Sequence, residues 1–263
     1  MSTIRELANA KASQRKIVLV TAYDAWSAHL LADTPVDALL VGDSAMMVMH
    51  GERDTLSATV EIMALHTRAV ARAAKDKLII ADFPFLAARK GQTYALECAA
   101  ELLRAGAHAV KIEGVRGHAD VITHLVGSGI PVMGHLGLQP QSVHALGGYT
   151  VQGRDRENAS RLREEAVMLE AAGAFAIVLE CIPAQLAREI SSSVRVPTIG
   201  IGAGDGCDGQ VLVLHDLLGL NPDFKPRFVR RFVDGAALVK QGVTDYANAV
   251  RAGQFPTAEE SFS

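Results

Sequence analysis

An alternation repeated eight times limits what this chain can fold into. Short apolar stretches at 17–21, 38–41, 78–81, 109–113, 131–134, 176–179, 198–202 and 210–214 are separated mostly by segments with apolar residues at helical spacing. Continuous runs of Val, Ile, Leu and Ala suit strands buried on both faces, and parallel strands joined by helices are buried in that way. No Pro/Ser-rich linker or break in composition divides the series. The chain therefore reads as one α/β domain over 1–263, a (βα)8 TIM barrel. A doubly wound open sheet is the alternative, because alternation alone does not prove closure.

The flanking segments fit that frame. Residues 3–12 put Ile4, Leu7 and Ala8 on one helical face, so 1–16 reads as an N-terminal helix capping the bottom of the barrel. Further helices are expected over about 59–75 with Thr59 as N-cap, 91–104, 117–128, 157–172 with Gly173 as its stop, and 183–193. From Pro222 onward, 222–263 reads as C-terminal helices around 224–233 and 236–252 with a polar tail. The net charge of −3 is spread without a basic stripe, which makes nucleic acid and acidic membrane poor partners. Cys98, Cys181 and Cys207 share no CxxC spacing and read as reduced thiols. With no signal-type apolar region and no run long enough to span a bilayer, the expected location is the cytoplasm.

Polar residues then fall in one place. Asp24, Asp43, Asp82, Glu113, His135, Glu180 and Asp216 lie at or just past strand C-termini, the end at which barrel enzymes build their sites. Lys111 and Glu113 share a face of the fourth strand, and burying them there requires partners or a metal. Each residue also has a local reading. Asp43 suits a cap, Asp82 an Asx-turn before Phe83-Pro84, and His135 a hydrogen-bonded core position. Their gathering on a single rim favours one shared site. Asp43, Asp82 and Glu113 are hard oxygen donors that, with a bidentate small substrate, suit Mg²⁺; Cys/His spacing for zinc is absent. Lys111 beside them would neutralise an anionic group, and the carboxylates argue against the low pKa of a Schiff-base lysine. The run 199–204 (IGIGAG) suits phosphate binding and close backbone approach equally, and lacks the spacing of a dinucleotide fingerprint. Gly147-Gly148-Tyr149 and Gly153-Arg154 mark a mobile lid or a long surface loop.

Taken together, Val41-Gly42-Asp43-Ser44, Ala81-Asp82 with Pro84-Phe85, Val110-Lys111-Ile112-Glu113-Gly114, Gly134-His135-Leu136-Gly137-Leu138 with Pro140-Gln141-Ser142, Gly147-Gly148-Tyr149, Val151-Gln152-Gly153-Arg154, Leu179-Glu180, Gly200-Ile201-Gly202-Ala203-Gly204 and His215-Asp216 resemble the ketopantoate hydroxymethyltransferase family. The motifs keep the family's order from about Ile17 to Phe262. The resemblance implies a barrel of the phosphoenolpyruvate/pyruvate type, Mg²⁺ dependence, 5,10-methylenetetrahydrofolate as one-carbon donor to 3-methyl-2-oxobutanoate, and a homo-oligomer, a decamer. By position it makes Asp43, Asp82 and Glu113 the metal site, and Asp43, Ser44, Asp82 and Lys111 the ketoacid site. Glu180 matches the general base, and His135 lines the same mouth. No residue is assigned to the folate.

The chain departs from the family in places. Ala45-Met46-Met47 stands where Leu-Gly-Met is usual, Thr55-Leu56-Ser57 where Thr-Leu-Pro is, Thr150 for a lid lysine and Glu260 for a histidine. Met46 is expected to narrow the pocket or shift its loop. Two other functions compete. A carbon–carbon lyase or phosphonate mutase would share the carboxylates but carries a Lys-Cys-Gly-His-type loop, which this chain lacks. A catalytically silent barrel would have lost the carboxylates that Asp43, Asp82, Glu113 and Glu180 retain.

Overall fold

The structure, a computed structural model, describes residues 3–262. The chain divides between Val213 and Leu214 into two compact units. The first opens with helix α1 (Ile4–Asn9), whose start is closed by a reciprocal capping pair between Thr3 and Glu6. It continues β1 (Ile17–Thr21), α2 (Ala25–Ala32), β2 (Ala38–Val41), α3 (Ala45–Val48), α4 (Val60–Ala73), β3 (Leu78–Asp82), α5 (Gln92–Arg104), β4 (Ala109–Glu113), α6 (Ala119–Gly127), β5 (Val132–Gly137), α7 (Arg156–Ala171), β6 (Ala176–Glu180), α8 (Ala184–Ser193), β7 (Thr198–Ile201) and β8 (Gly209–Leu212).

The eight strands close a barrel in chain order, every neighbouring pair being parallel. Closure runs through β1 and β8, with Ile17 opposite Gly209 and Val20 opposite Leu212. That register rules out the open sheet. Two apolar layers hold the unit. Inside the barrel, Leu19, Leu40, Ile80, Ala109, Met133, Val178, Ile199 and Val211 pack together, joined by Leu7 and Ala10 of the N-terminal segment. Between strands and helices, residues of the opposite parity such as Val41, Ile79, Val110, Ile112 and Leu179 meet the helices' apolar faces. Lys111 and Glu113 therefore share the inward face with Ala109, and Val110 and Ile112 face the helices.

The second unit contains α9 (Leu214–Leu217) and α10 (Gly235–Arg251). Here the structure corrects the sequence reading. The eighth strand stops at Leu212, so His215 and Asp216 lie in α9 rather than at a strand end. The expected helix over 224–233 is irregular chain. Pro222 and Pro226 interrupt helical hydrogen bonding there. Arg231 instead gathers the carbonyls of Asn221, Pro222 and Phe224 at 3.1, 2.9 and 3.4 Å. α10 starts from Asp234, whose side chain accepts from Ala237 N.

Candidate active site

Strands β2 to β6 bring polar side chains to the barrel's C-terminal end, above the apolar interior. Asp82 ends β3, Lys111 and Glu113 come from β4, His135 from β5 and Glu180 from β6. Asp43 and Ser44 follow β2 directly. Parallel pairing places Asp82 beside Lys111 and Glu113 beside His135. Asp43, Asp82, Lys111 and His135 are all buried, so their charges answer mainly to one another.

Lys111 Nζ lies 2.9 Å from Asp82 Oδ1 and 3.3 Å from His135 Nδ1. Burial alone would lower the lysine's pKa, but Asp82, Glu113 and Asp43 outweigh it and hold the ammonium above its ordinary range. Asp82 Oδ2 accepts the Asp43 backbone N–H at 3.1 Å, which ties the β2 end to the β3 end. For Asp43, burial and then the neighbouring Asp82 and Glu113 raise the carboxyl well above its usual range, against Lys111 and Gln141. The Ser44 hydroxyl shares a 2.8 Å hydrogen bond with the buried Tyr23 hydroxyl.

His135 joins this cluster to Glu180. Its Nε2 is 3.2 Å from Glu180 Oε2, and its Nδ1 is 3.6 Å from Glu113 Oε1. Burial and Lys111 disfavour a charged ring, yet the two carboxylates carry its pKa up to about 9. A charged ring has hydrogens on both nitrogens. A neutral ring accepting from Lys111 at Nδ1 must carry its hydrogen on Nε2. In both states an N–H faces Glu180.

The backbone around Glu180 is specialised. Cys181 takes φ 47, a left-handed conformation uncommon for a side chain of its kind. Its N–H donates to Ile201 O at 2.8 Å and its carbonyl accepts from Gln152 N at 2.9 Å. Gly137 has φ 94, and a Cβ there would come within 2.1 Å of Glu180 O, so only glycine allows this crossing. In the glycine run, Gly204 has φ 77 and a Cβ would meet Ala184 at 2.4 Å. Close backbone approach therefore accounts for that glycine.

Two residues behave differently from the sequence reading. Asp24 stays out of the cluster and caps α2, accepting from Ser27 N and Oγ, both at 2.8 Å. Met46 is 2 % exposed and packs in the layer between strands and helices, so it fills core. Gln141, by contrast, was not singled out by its own chemistry. Its Nε2 donates to Asp43 Oδ2 and Phe83 O, both at 2.7 Å, and its backbone N–H donates to Glu113 Oε2 at 3.1 Å. The loop that follows reaches back through Tyr149, whose hydroxyl is 3.6 Å from Met47 Sδ.

The donor set fits a hard divalent cation. Asp43, Asp82 and Glu113 crowd their charge around one ammonium, and Glu113 Oε1 is buried with no hydrogen-bond partner. Among the described residues no three Asp, Glu, His or Cys side chains form a closed ligand set. A cation that keeps waters and takes substrate oxygens does not need one.

Comparison with known proteins identifies the family. The sequence model of ketopantoate hydroxymethyltransferase matches residues 1–258. The chain belongs to the ketopantoate hydroxymethyltransferase family. Within it, the chain is 49% identical over 263 residues to the 3-methyl-2-oxobutanoate hydroxymethyltransferase of Bdellovibrio bacteriovorus, covering 100% of both. The enzyme of the same name from Francisella tularensis subsp. novicida is 45% identical over 262 residues, with 100% of this chain and 99% of that one covered. Among solved structures, phosphonopyruvate hydrolase in complex with oxalate and Mg++ superposes with a TM-score of 0.64 at 13% identity, covering 99% of this chain and 93% of that one. 2,3-Dimethylmalate lyase, a PEP mutase/isocitrate lyase superfamily member, gives 0.60 at 17% identity, covering 100% and 92%. At such identities the likeness establishes the barrel fold alone.

Proposed function

We propose that the chain transfers a hydroxymethyl group from 5,10-methylenetetrahydrofolate to 3-methyl-2-oxobutanoate, giving 2-dehydropantoate for pantothenate and coenzyme A biosynthesis. The observation that carries this reading is the joining of a buried cluster of Lys111 and carboxylates to a separate carboxylate, Glu180, through His135. A ketoacid held at one side needs a base at the other. Relatives named for this activity at 45% and 49% identity support it.

Asp43, Asp82 and Glu113 would hold Mg²⁺, directly or through water, and the ion supplies Lewis-acid polarisation of the ketoacid's carbonyl. Lys111, kept charged by its three carboxylates, offsets the negative charge of the ketoacid, and Ser44 offers it a hydroxyl oriented by Tyr23. Glu180 acts as general base and takes the proton from C3. The His135 N–H faces Oε2, which leaves Oε1 to receive that proton. The electron pair released at C3 forms the bond to the folate's methylene carbon. Water then replaces the folate nitrogen on that carbon, supplying the hydroxyl of the new hydroxymethyl group, and tetrahydrofolate departs carrying the remaining proton.

We propose further that copies of the chain assemble, as a decamer by family resemblance. No helix among the described residues is long and apolar enough to cross a membrane. Yet α10 leaves Val239, Val243, Tyr246 and Val250 exposed, at the four- and three-residue spacing of a helix-packing seam. Val243→Glu should lower the mass seen by light scattering; an unchanged mass removes α10 from the interface.

The activity itself is tested by mixing 3-methyl-2-oxobutanoate and methylenetetrahydrofolate with the protein, with Mg²⁺ or with EDTA, and following 2-dehydropantoate. Formation that requires the metal supports the assignment. Cleavage of a 2-substituted malate or a phosphonopyruvate, with no 2-dehydropantoate formed, would place the chain with the lyases instead.

A further inference from the structure

One residue outside the acidic cluster engages the ends of three strands, two through its side chain and one through its backbone N–H. The two amide hydrogens of Gln141 go to Asp43 Oδ2 and Phe83 O, both at 2.7 Å, and its backbone N–H goes to Glu113 Oε2 at 3.1 Å. Asp43 follows β2, Phe83 follows β3 and Glu113 ends β4, whereas Gln141 sits in the short turn Pro140–Ser142 that follows β5. Two of the three carboxylates offered to the cation are therefore fixed by a residue that has no charge of its own.

The chemistry of the amide suits that task. A carboxylate that must bind a cation needs its rotamer fixed without losing its charge, because a mobile ligand would give up side-chain entropy on binding. A lysine or arginine at 141 would fix Asp43 but compete with the incoming cation. A glutamate would repel it. A glutamine donates two hydrogens, occupies one oxygen of Asp43 and leaves the other oxygen for other partners. The carbonyl of Phe83 takes the second hydrogen, so the amide has one orientation in which both contacts are donations. The turn also begins the loop whose Gln152 N bonds Cys181 O beside Glu180. The same loop thus touches the cluster at its start and the neighbour of Glu180 near its end.

We propose that Gln141 is a positioning residue for the divalent cation, its side-chain amide acting through Asp43. The proposal rests on the function given above. Hydrogen bonds to charged groups of this type correspond to roughly 10- to 100-fold in an equilibrium. The full-length protein is titrated with Mn²⁺, with free ion measured by electron paramagnetic resonance and the ketoacid absent, for the natural sequence, Gln141→Met and Gln141→Ala. Methionine keeps the volume and removes both donors.

Weakening of Mn²⁺ binding by roughly 10-fold or more in both variants, with folding verified by thermal unfolding, supports the proposal. Binding within twofold of the natural sequence in the folded variants overturns it. Weakening by methionine alone also overturns it, because steric displacement and not donor loss would be responsible. Should alanine fail to fold, Gln141→Leu, which also lacks both donors, takes its place beside methionine. If the natural protein itself holds no Mn²⁺, the metal part of the proposed function fails, and with it any role for Gln141 toward a cation. If it binds and the variants bind equally, only the role of Gln141 fails.

Discussion

Lys111→Met is the substitution whose consequence follows most directly from the cluster. The ammonium and Asp82 form an ion pair at 2.9 Å with side-chain exposures of 6% and 4%, and both Asp43 and Glu113 act on the same ammonium. Methionine has similar length, so the change removes charge more than volume. Breaking a buried pair from one side costs about 3–5 kcal/mol, because the remaining charge stays buried without its partner. At about 2–4 °C per kcal/mol for a chain of this size, the melting temperature in EDTA at pH 7 should fall by roughly 6–20 °C. The lysine's folded pKa is raised, so its stabilisation is fully present below the unfolded value near 10.4 and fades only as pH rises through the folded value. The natural protein should therefore show no loss from this pair near neutrality. Differential scanning calorimetry checks it, together with Lys111→Met/Asp82→Asn. Removing both charges should recover part of the deficit. A single variant melting within a degree or two of the natural protein would refute the argument that Lys111 neutralises buried carboxylates.

Two further substitutions probe residues outside the reaction. Met46→Ala should destabilise the fold by about 2–5 kcal/mol, while the KM for 3-methyl-2-oxobutanoate stays unchanged, as chemical denaturation and steady-state kinetics would reveal; a changed KM with unchanged stability would return Met46 to the pocket. Asp216 is pushed up to about 6 by burial, with Arg231 opposing, so its stabilising contribution belongs to the protonated form and declines as pH rises from about 4 through 6. Asp216→Asn should match the natural protein near pH 4 and exceed its stability above pH 7 by about 1 kcal/mol, a figure reduced for partial solvation. Equal melting temperatures at both pH values would show that the carboxyl is not desolvated.

Most of the barrel can be read from residue order, for a physical reason. Strands covered on both faces need apolar residues at successive positions, so β1, β2, β3 and β6 stand out as apolar runs. β5 was read too short, because Gly134, His135 and Gly137 interrupt its apolar run while remaining in the ladder. The eighth strand was read too long, because Leu214 continues an apolar pattern that the backbone has already turned into α9. The irregular stretch at 224–233 depends on Arg231 collecting carbonyls nearby, which no periodicity announces.

The candidate site divides in the same way. Lys111, Glu113, Asp82, His135 and Glu180 were legible because strand parity and strand ends specify where they point. Asp24 was grouped with them because a carboxylate just after a strand is also how the next helix begins. Gln141 was hidden for the opposite reason. It carries no charge, lies on a loop, and meets Asp43 across 98 positions of chain. Met46 stood out as a departure in a binding motif, yet the direction of its side chain was set by the packing of α3.

In the proposed reaction Glu180 removes the C3 proton of a ketoacid held by the carboxylate cluster. That step is isolated by following hydrogen–deuterium exchange at C3 of 3-methyl-2-oxobutanoate by proton NMR, with Mg²⁺ and without folate. The natural protein should exchange the proton, and Glu180→Gln should slow exchange by roughly 10²–10⁴ while ketoacid binding measured by calorimetry stays nearly unchanged. Exchange by Glu180→Gln at the natural rate would contradict the central claim and move the base elsewhere in the mouth, with His135 the nearest alternative.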